Sequence, residues 1–285
     1  ILLLSSHLQK IKCNGEFCKL LLDAGDIYLK SFRTEEAFKC YSKILDELSC
    51  VEDANNDELF MEAAIRYSKN TTAPLHDCLT IISVLEEALI RASNHRKENY
   101  IALLYMHLAK NEWLCSRYKE ALEHFDQGWA LASKLDQRTI SRSAQTFAIY
   151  FSLWKGNYLE GISNYEKFVP DVQVYPEGRF PLLATLLVGH CYAQIGQITQ
   201  GLGMLDAIYA QCQKKGDSFM SAYAKLSIGI IMLDMGKTEE AIEFMQPWVN
   251  RAREEHNDWA WICGELGLAL GYYRRRDFQQ STSHL

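Results

Sequence analysis

Small residues recur in this chain at a fixed spacing, and that spacing constrains the fold more than any other feature. Registering Leu108-Ala109, Ala148-Ile149, Val188-Gly189, Ile228-Gly229 and Leu268-Ala269 gives four successive steps of 40 residues. Twelve residues beyond these stand Ala121, Gly161, Gly201, Ala241 and Ser281, every one small. An earlier unit follows the same rule, with Ala24-Gly25 followed by Tyr28, Ala37, Tyr41 and Ile44. A fixed period of this length implies one supersecondary unit stacked on copies of itself, each unit burying its neighbour's apolar face.

The residue types identify the unit as a pair of antiparallel helices. Two helices approach closely only where both lack bulky side chains at the crossing, which accounts for one small position on each. Large residues, Tyr41, Phe125, Tyr165, Leu205 and Met245, come four residues after the second small position, one turn along the same face. They are expected to wedge between neighbouring hairpins. Turns are readable in Lys155-Gly156-Asn157-Tyr158, Ile195-Gly196-Gln197-Ile198 and Met235-Gly236-Lys237-Thr238, where glycine ends the first helix. Acidic residues follow in Glu35-Glu36, Glu120, Glu160 and Glu239-Glu240, at the positive end of the second helix's dipole. Segment 52–98 is less regular. It predicts a first helix through Phe60, Ala63, Ala64 and Tyr67, an enlarged turn at Thr71-Thr72-Ala73-Pro74, and a second helix through Ile82, Leu85 and Leu89. Proline is scarce, at five, and no segment alternates as a strand does. The fold class is therefore all-α, a solenoid of antiparallel helical hairpins of about seven units, occupying 1–285 as a single domain.

Gly25 with Tyr28, Ala37 and Tyr41, and Gly189 with Tyr192, resemble the tetratricopeptide pattern, and the resemblance covers most of the chain. It implies a right-handed superhelix whose first helices line a concave face. The departures are units of 40 residues rather than 34, a missing small residue at Ile149, and no aromatic residue at Glu112 and Ser152. Units near 40 residues are similar to the helical sensor arm of multidomain signalling ATPases, including the maltose-type transcription activators. That likeness implies a nucleotide-binding module upstream and an output module elsewhere. The apolar opening Ile1-Leu2-Leu3-Leu4 without Met, and a stop just after a repeat motif begins, suggest a fragment of a longer protein.

Composition removes several classes of function. A net charge of −6 is unsuited to neutralising phosphates, so no nucleic acid is expected as a direct partner. The basic run Arg274-Arg275-Arg276 falls where a first helix should end, and cations there are favoured by the dipole. Nine cysteines, an odd count with no CxxC pair, indicate a reducing cytoplasm. No apolar run approaches the ~20 residues that span a bilayer, so no membrane partner is expected. Gly236-Lys237-Thr238 fails as a phosphate loop because Ile231 stands where glycine is required. HExxH, GxSxG and GxGxxG are absent, and the eight histidines show no i, i+4 pair. Asn70-Thr71-Thr72 matches a glycosylation acceptor, a three-residue pattern of little specificity. No cofactor, no metal and no catalytic residue is expected, and the chain is read as not an enzyme.

Registering on the small residue places Lys110, Trp113, Tyr150, Trp154, His190, Gln194, Tyr223, Asp234, Tyr273 and Arg274 in or beside the groove. Aromatic rings supply area there and polar tips supply orientation, a mixture suited to a peptide, a partner helix or a small effector. For Trp113, Trp154 and Tyr223 the alternative is packing against the adjoining unit. Some tetratricopeptide proteins hold the acidic tail of a chaperone with Lys and Asn on these helices. Here the matching places are mostly aromatic or apolar, with Lys19, Lys30 and Lys110 as the basic exceptions. The expected function is a binding module presenting its groove to a protein or peptide. The alternatives are an effector-sensing arm of a signalling ATPase or transcriptional regulator, or a peptide-pheromone receptor.

Overall fold

The computed structural model describes residues 15–30, 33–50, 53–69, 78–135, 138–174, 179–255 and 257–285. The turn expected at Thr71 to Pro74, the glycosylation pattern at Asn70 and the apolar opening all lie outside these residues. Fourteen helices occupy the described residues, and no strand is found among them. In order they are α1 (Gly15–Lys30), α2 (Thr34–Leu48), α3 (Ala54–Lys69), α4 (Cys78–Asn94), α5 (Glu98–Leu114), α6 (Tyr118–Ala132) and α7 (Arg138–Trp154). There follow α8 (Tyr158–Val174), α9 (Arg179–Gln194), α10 (Ile198–Lys215), α11 (Ser218–Asp234), α12 (Thr238–Glu254), α13 (Asp258–Arg274) and α14 (Phe278–Ser283). They pair as seven hairpins, as the repeat requires. The chain divides into two compact units, 1–144 and 145–285.

The last five hairpins close through the same backbone device. The chain turns left-handed at Ser116, Gly156, Gly196, Gly236 and Arg276, with φ of 61°, 75°, 88°, 77° and 63°. The next amide then returns to a carbonyl in the last turn, as in Asn157 N to Ser152 O at 2.8 Å and Gln197 N to Tyr192 O at 2.9 Å. This double closure satisfies carbonyls the helix end leaves unpaired. The acidic residues Glu35, Glu36, Glu120, Glu160, Glu239 and Glu240 all fall in a second helix's first turn.

The small positions sit at helix crossings, and large residues reach the next hairpin as wedges do: Tyr165 Oη lies 3.1 Å from Thr185 Oγ1, and Leu205 packs in one cluster with Ala224 and Ile228. Three of them also press on the small residue of their own hairpin. A Cβ added at Gly25 would lie 2.5 Å from Tyr41 Cε1, one at Gly189 3.3 Å from Leu205, and one at Gly229 would run into Met245. Met245 also reaches the next first helix, since a Cβ at Gly267 would lie 3.0 Å from its Sδ. At Gly201 the obstacle is backbone, because its missing Cβ would collide with the Gly189 carbonyl oxygen.

The sequence departures have local causes. Glu112, where an aromatic residue is absent, is 2% exposed, and its carboxylate holds His124 Nδ1 at 2.8 Å. That hydrogen bond raises the His124 pKa above its ordinary value against the opposing effect of burial. Ile149 fills its place in a buried cluster with Ile162, Val188 and Cys191, and Tyr165 packs alongside. Within the first unit, the irregular segment is stapled by charge. Arg91 pairs with Asp57 at 2.8 Å, donates to the Leu48 and Ser49 carbonyls at 3.1 and 3.0 Å, and covers the Phe60 ring at 4.0 Å. His95 Nε2 contacts the other Asp57 oxygen at 2.7 Å. The α2 terminus, α3 and α4 are thereby tied together.

Candidate functional site

The second unit carries an open cavity of about 390 Å³ lined by Tyr150, Leu153, Trp154, Tyr158, Leu187, His190, Gln194, Tyr223 and Asp234. Its walls are three successive first helices, α7, α9 and α11, with Tyr158 entering from the start of α8. Residues 150 and 154 lie one turn apart on a helix, and the 40-residue step places 190 and 194, then 234, in the same columns. The repeat thus supplies each of these columns with one residue per unit.

One column forms a polar ladder. Gln194 Nε2 donates to Asp234 Oδ2 at 2.8 Å, and Arg274 Nη2 reaches Asp234 Oδ1 at 3.2 Å. A second Arg274 nitrogen donates to the Leu233 carbonyl at the end of α11. At the other end of the column Trp154 packs on Tyr150 and Phe151, with ring centroids 5.0 and 5.4 Å apart.

Burial sets the protonation of the cavity. The imidazole of His190 is pushed down to about 4 by desolvation, which the nearby Asp234 carboxylate opposes without overcoming. His190 is therefore neutral at pH 7. Burial, reinforced by Tyr223 and Cys263, holds the Tyr150 hydroxyl well above its ordinary value, so it stays protonated. Asp234 supplies the one carboxylate among the described lining residues.

Six of the ten sequence candidates meet in this cavity: Tyr150, Trp154, His190, Gln194, Tyr223 and Asp234. Arg274 stands just outside, bonded to Asp234. Tyr273, 61% exposed, turns to Phe278 instead, with centroids 5.8 Å apart. Lys110 and Trp113 belong to the first unit, where Lys110 Nζ lies 3.4 Å from the Ser68 carbonyl and Trp113 meets Tyr118 edge-on at 4.9 Å. Sequence reasoning missed Leu153, Tyr158 and Leu187. Tyr158 had a signal, because Tyr118, Ile198 and Phe278 hold the same place in other units, but only first helices were searched for groove residues. Among the described residues, no group of three or more His, Cys, Asp or Glu is placed to hold a metal ion, and no helix is long and apolar enough to cross a membrane.

The sequence matches no protein-family model and no curated protein. Solved structures share the fold. A Rap protein in complex with competence and sporulation factor matches with a TM-score of 0.68 at 13% identity, over 94% of this chain and 75% of that one. Aspartyl phosphate phosphatase F from Bacillus subtilis matches with 0.66 at 16% identity, over 95% and 69%. A signal transduction ATPase with numerous domains and a tetratricopeptide repeat sensor, from Pyrococcus horikoshii, matches with 0.54 at 14% identity; this chain covers 42% of its length, and 98% of this chain is matched. The fold is thus the tetratricopeptide-like repeat that the spacing implied.

The phosphatase corrects one expectation. The chain was read as not an enzyme because no catalytic motif was found and the candidate motifs fell on repeat positions or failed their spacing, yet an enzyme shares this fold. Fold and chemistry are separable, and a repeat position does not remove a side chain from chemistry. Glu112 shows as much, being a repeat position and also the buried partner of a histidine. Exclusion of catalysis on the ground of fold does not stand.

Proposed function

We infer that the chain is a peptide-binding regulatory module whose second unit receives the ligand in the cavity between α7, α9 and α11. The observation that carries this reading is the convergence of six register-selected residues from three units on one cavity of about 390 Å³, within the range typical of ligand sites. Two proteins that share the fold were solved as complexes, the Rap protein with competence and sporulation factor and NprR with its cognate peptide NprX. NprR matches with a TM-score of 0.58 at 15% identity, over 93% of this chain and 76% of that one. The unbridged thiols Cys191 and Cys263 support a reducing, cytoplasmic setting. The test is a screen of a five- to ten-residue peptide library by calorimetry, repeated with Trp154→Ala and Gln194→Ala. Saturable binding that both substitutions weaken supports the reading. Binding insensitive to both, or no binding, defeats it.

A second reading, a sensor arm within a multidomain signalling ATPase, is supported by the match to the Pyrococcus horikoshii protein along 98% of this chain. The domain composition of the full-length gene product decides it.

A further inference from the structure

We propose that the cavity is an anchor subsite for a single uncharged aromatic side chain of the ligand, a selectivity that rests on the peptide-binding reading above. Charge on the page argues against an ionic anchor of either sign. Both oxygens of Asp234 are engaged, Oδ2 by Gln194 at 2.8 Å and Oδ1 by Arg274 at 3.2 Å. A ligand cation seeking that carboxylate meets the Arg274 guanidinium already on it. A ligand anion meets the carboxylate itself; Arg274 lies outside the lining and is committed to Asp234 and the Leu233 carbonyl, and His190 in the wall is held neutral by burial.

Beside these polar groups the wall carries rings and two leucines. Tyr150, Trp154 and Tyr158 from one hairpin and Tyr223 from another contribute four aromatic rings, with Leu153 and Leu187 among the lining residues. Rings prefer the edges and offset faces of other rings, and gain over aliphatic groups of equal size by that geometry. The neutral His190 imidazole and the protonated Tyr150 hydroxyl serve a phenol or indole N–H without demanding charge. The site therefore discriminates on two axes: uncharged over charged, and aromatic over saturated.

The experiment holds one ring constant and varies the charge. Ligand-detected NMR titration of the full chain compares benzyl alcohol, benzylamine and benzoate, with cyclohexylmethanol as the saturated control. Benzyl alcohol is expected to bind at least tenfold tighter than benzylamine or benzoate, and several-fold tighter than cyclohexylmethanol. Trp154→Ala, and separately Tyr158→Ala at the start of α8, should each reduce benzyl alcohol affinity several-fold. Tightest binding by benzylamine overturns the proposal by making Asp234 a cation site. So does equal binding of cyclohexylmethanol, or no saturable binding of any probe. If the probes behave as expected and no peptide binds, the subsite stands and the peptide reading falls. If a peptide binds in the cavity and replacing each of its aromatic residues leaves its affinity unchanged, the peptide reading stands and the anchor falls.

Discussion

Gln194 donates a 2.8 Å hydrogen bond to Asp234 across one 40-residue step of the repeat. Arg274 approaches the same carboxylate from one step further on. Asp234 and Arg274 are 39% and 36% exposed at their side chains, so the pair contributes little to stability, on the order of 0.5 kcal/mol. Asp234→Ala should barely move a urea unfolding midpoint while changing ligand selectivity. A loss of several kcal/mol would show that the ladder is a structural staple instead.

The Arg91 network lies at the opposite extreme. Arg91 and Asp57 are each 9% exposed at the side chain, and the guanidinium also serves two carbonyls at the end of α2. Arg91→Met leaves a carboxylate and two carbonyls short of a buried partner, at a cost of roughly 3 kcal/mol. Urea denaturation measures it, with hydrogen exchange of α3 and α4 reporting where the structure loosens.

Two glycines at helix crossings should respond differently to the same methyl group. At Gly229 the obstacle is the flexible Met245 side chain, whereas at Gly201 it is the Gly189 carbonyl oxygen. Backbone yields less than a methionine. Gly201→Ala is expected to cost about 2 kcal/mol or more, and Gly229→Ala clearly less, by thermal or urea unfolding.

Ser116 and Arg276 hold the left-handed turn position that Gly156, Gly196 and Gly236 hold elsewhere. Left-handed backbone costs an L-residue roughly 1 kcal/mol. Ser116→Gly and Arg276→Gly should each stabilise by about 0.5 kcal/mol, since glycine's larger loss of freedom on folding offsets part of the relief. An unchanged or lower melting temperature would count against strain at these turns.

Two histidines give stability opposite slopes with pH. Folding holds His190 deprotonated down to about pH 4, whereas an unfolded histidine takes its proton near 6.5. Between those values the unfolded chain binds more protons, so stability falls as pH drops, by up to roughly 3 kcal/mol. His124, with its pKa raised by Glu112, contributes stability that is complete below about 6.5 and is lost as pH rises through its folded value. His190→Phe should flatten the acid limb and His124→Gln the neutral one. NMR titration of each ring assigns the two effects.

The hairpins, their turns and most of the small crossings were legible because backbone geometry enforces them from unit to unit. Gly156, Gly196 and Gly236 are repeated answers to one φ requirement. The large residues were found by period, and Met245 does reach the next hairpin; that Tyr41 and Met245 also press on Gly25 and Gly229 of their own hairpins depends on side-chain direction, which period does not give. The cavity was legible where a residue shared a first-helix column, as Tyr150 and His190 do. Tyr158 was missed because it reaches in from the second helix. Glu112 and Arg91 were opaque for a different reason. A buried ionic contact is specified by a partner far along the chain, and leaves no periodic trace.

The ladder from Trp154 through Gln194 and Asp234 to Arg274 makes the groove a text with one letter per hairpin. Changing a letter rewrites the chemistry at one place, because the packing that holds each hairpin lies on other columns. Duplicating, deleting or exchanging a whole 40-residue unit shifts the message without breaking the helix ends. A scaffold organised in this way can acquire new ligands by recombination of its units, at a rate that point substitution in an irregular pocket does not match.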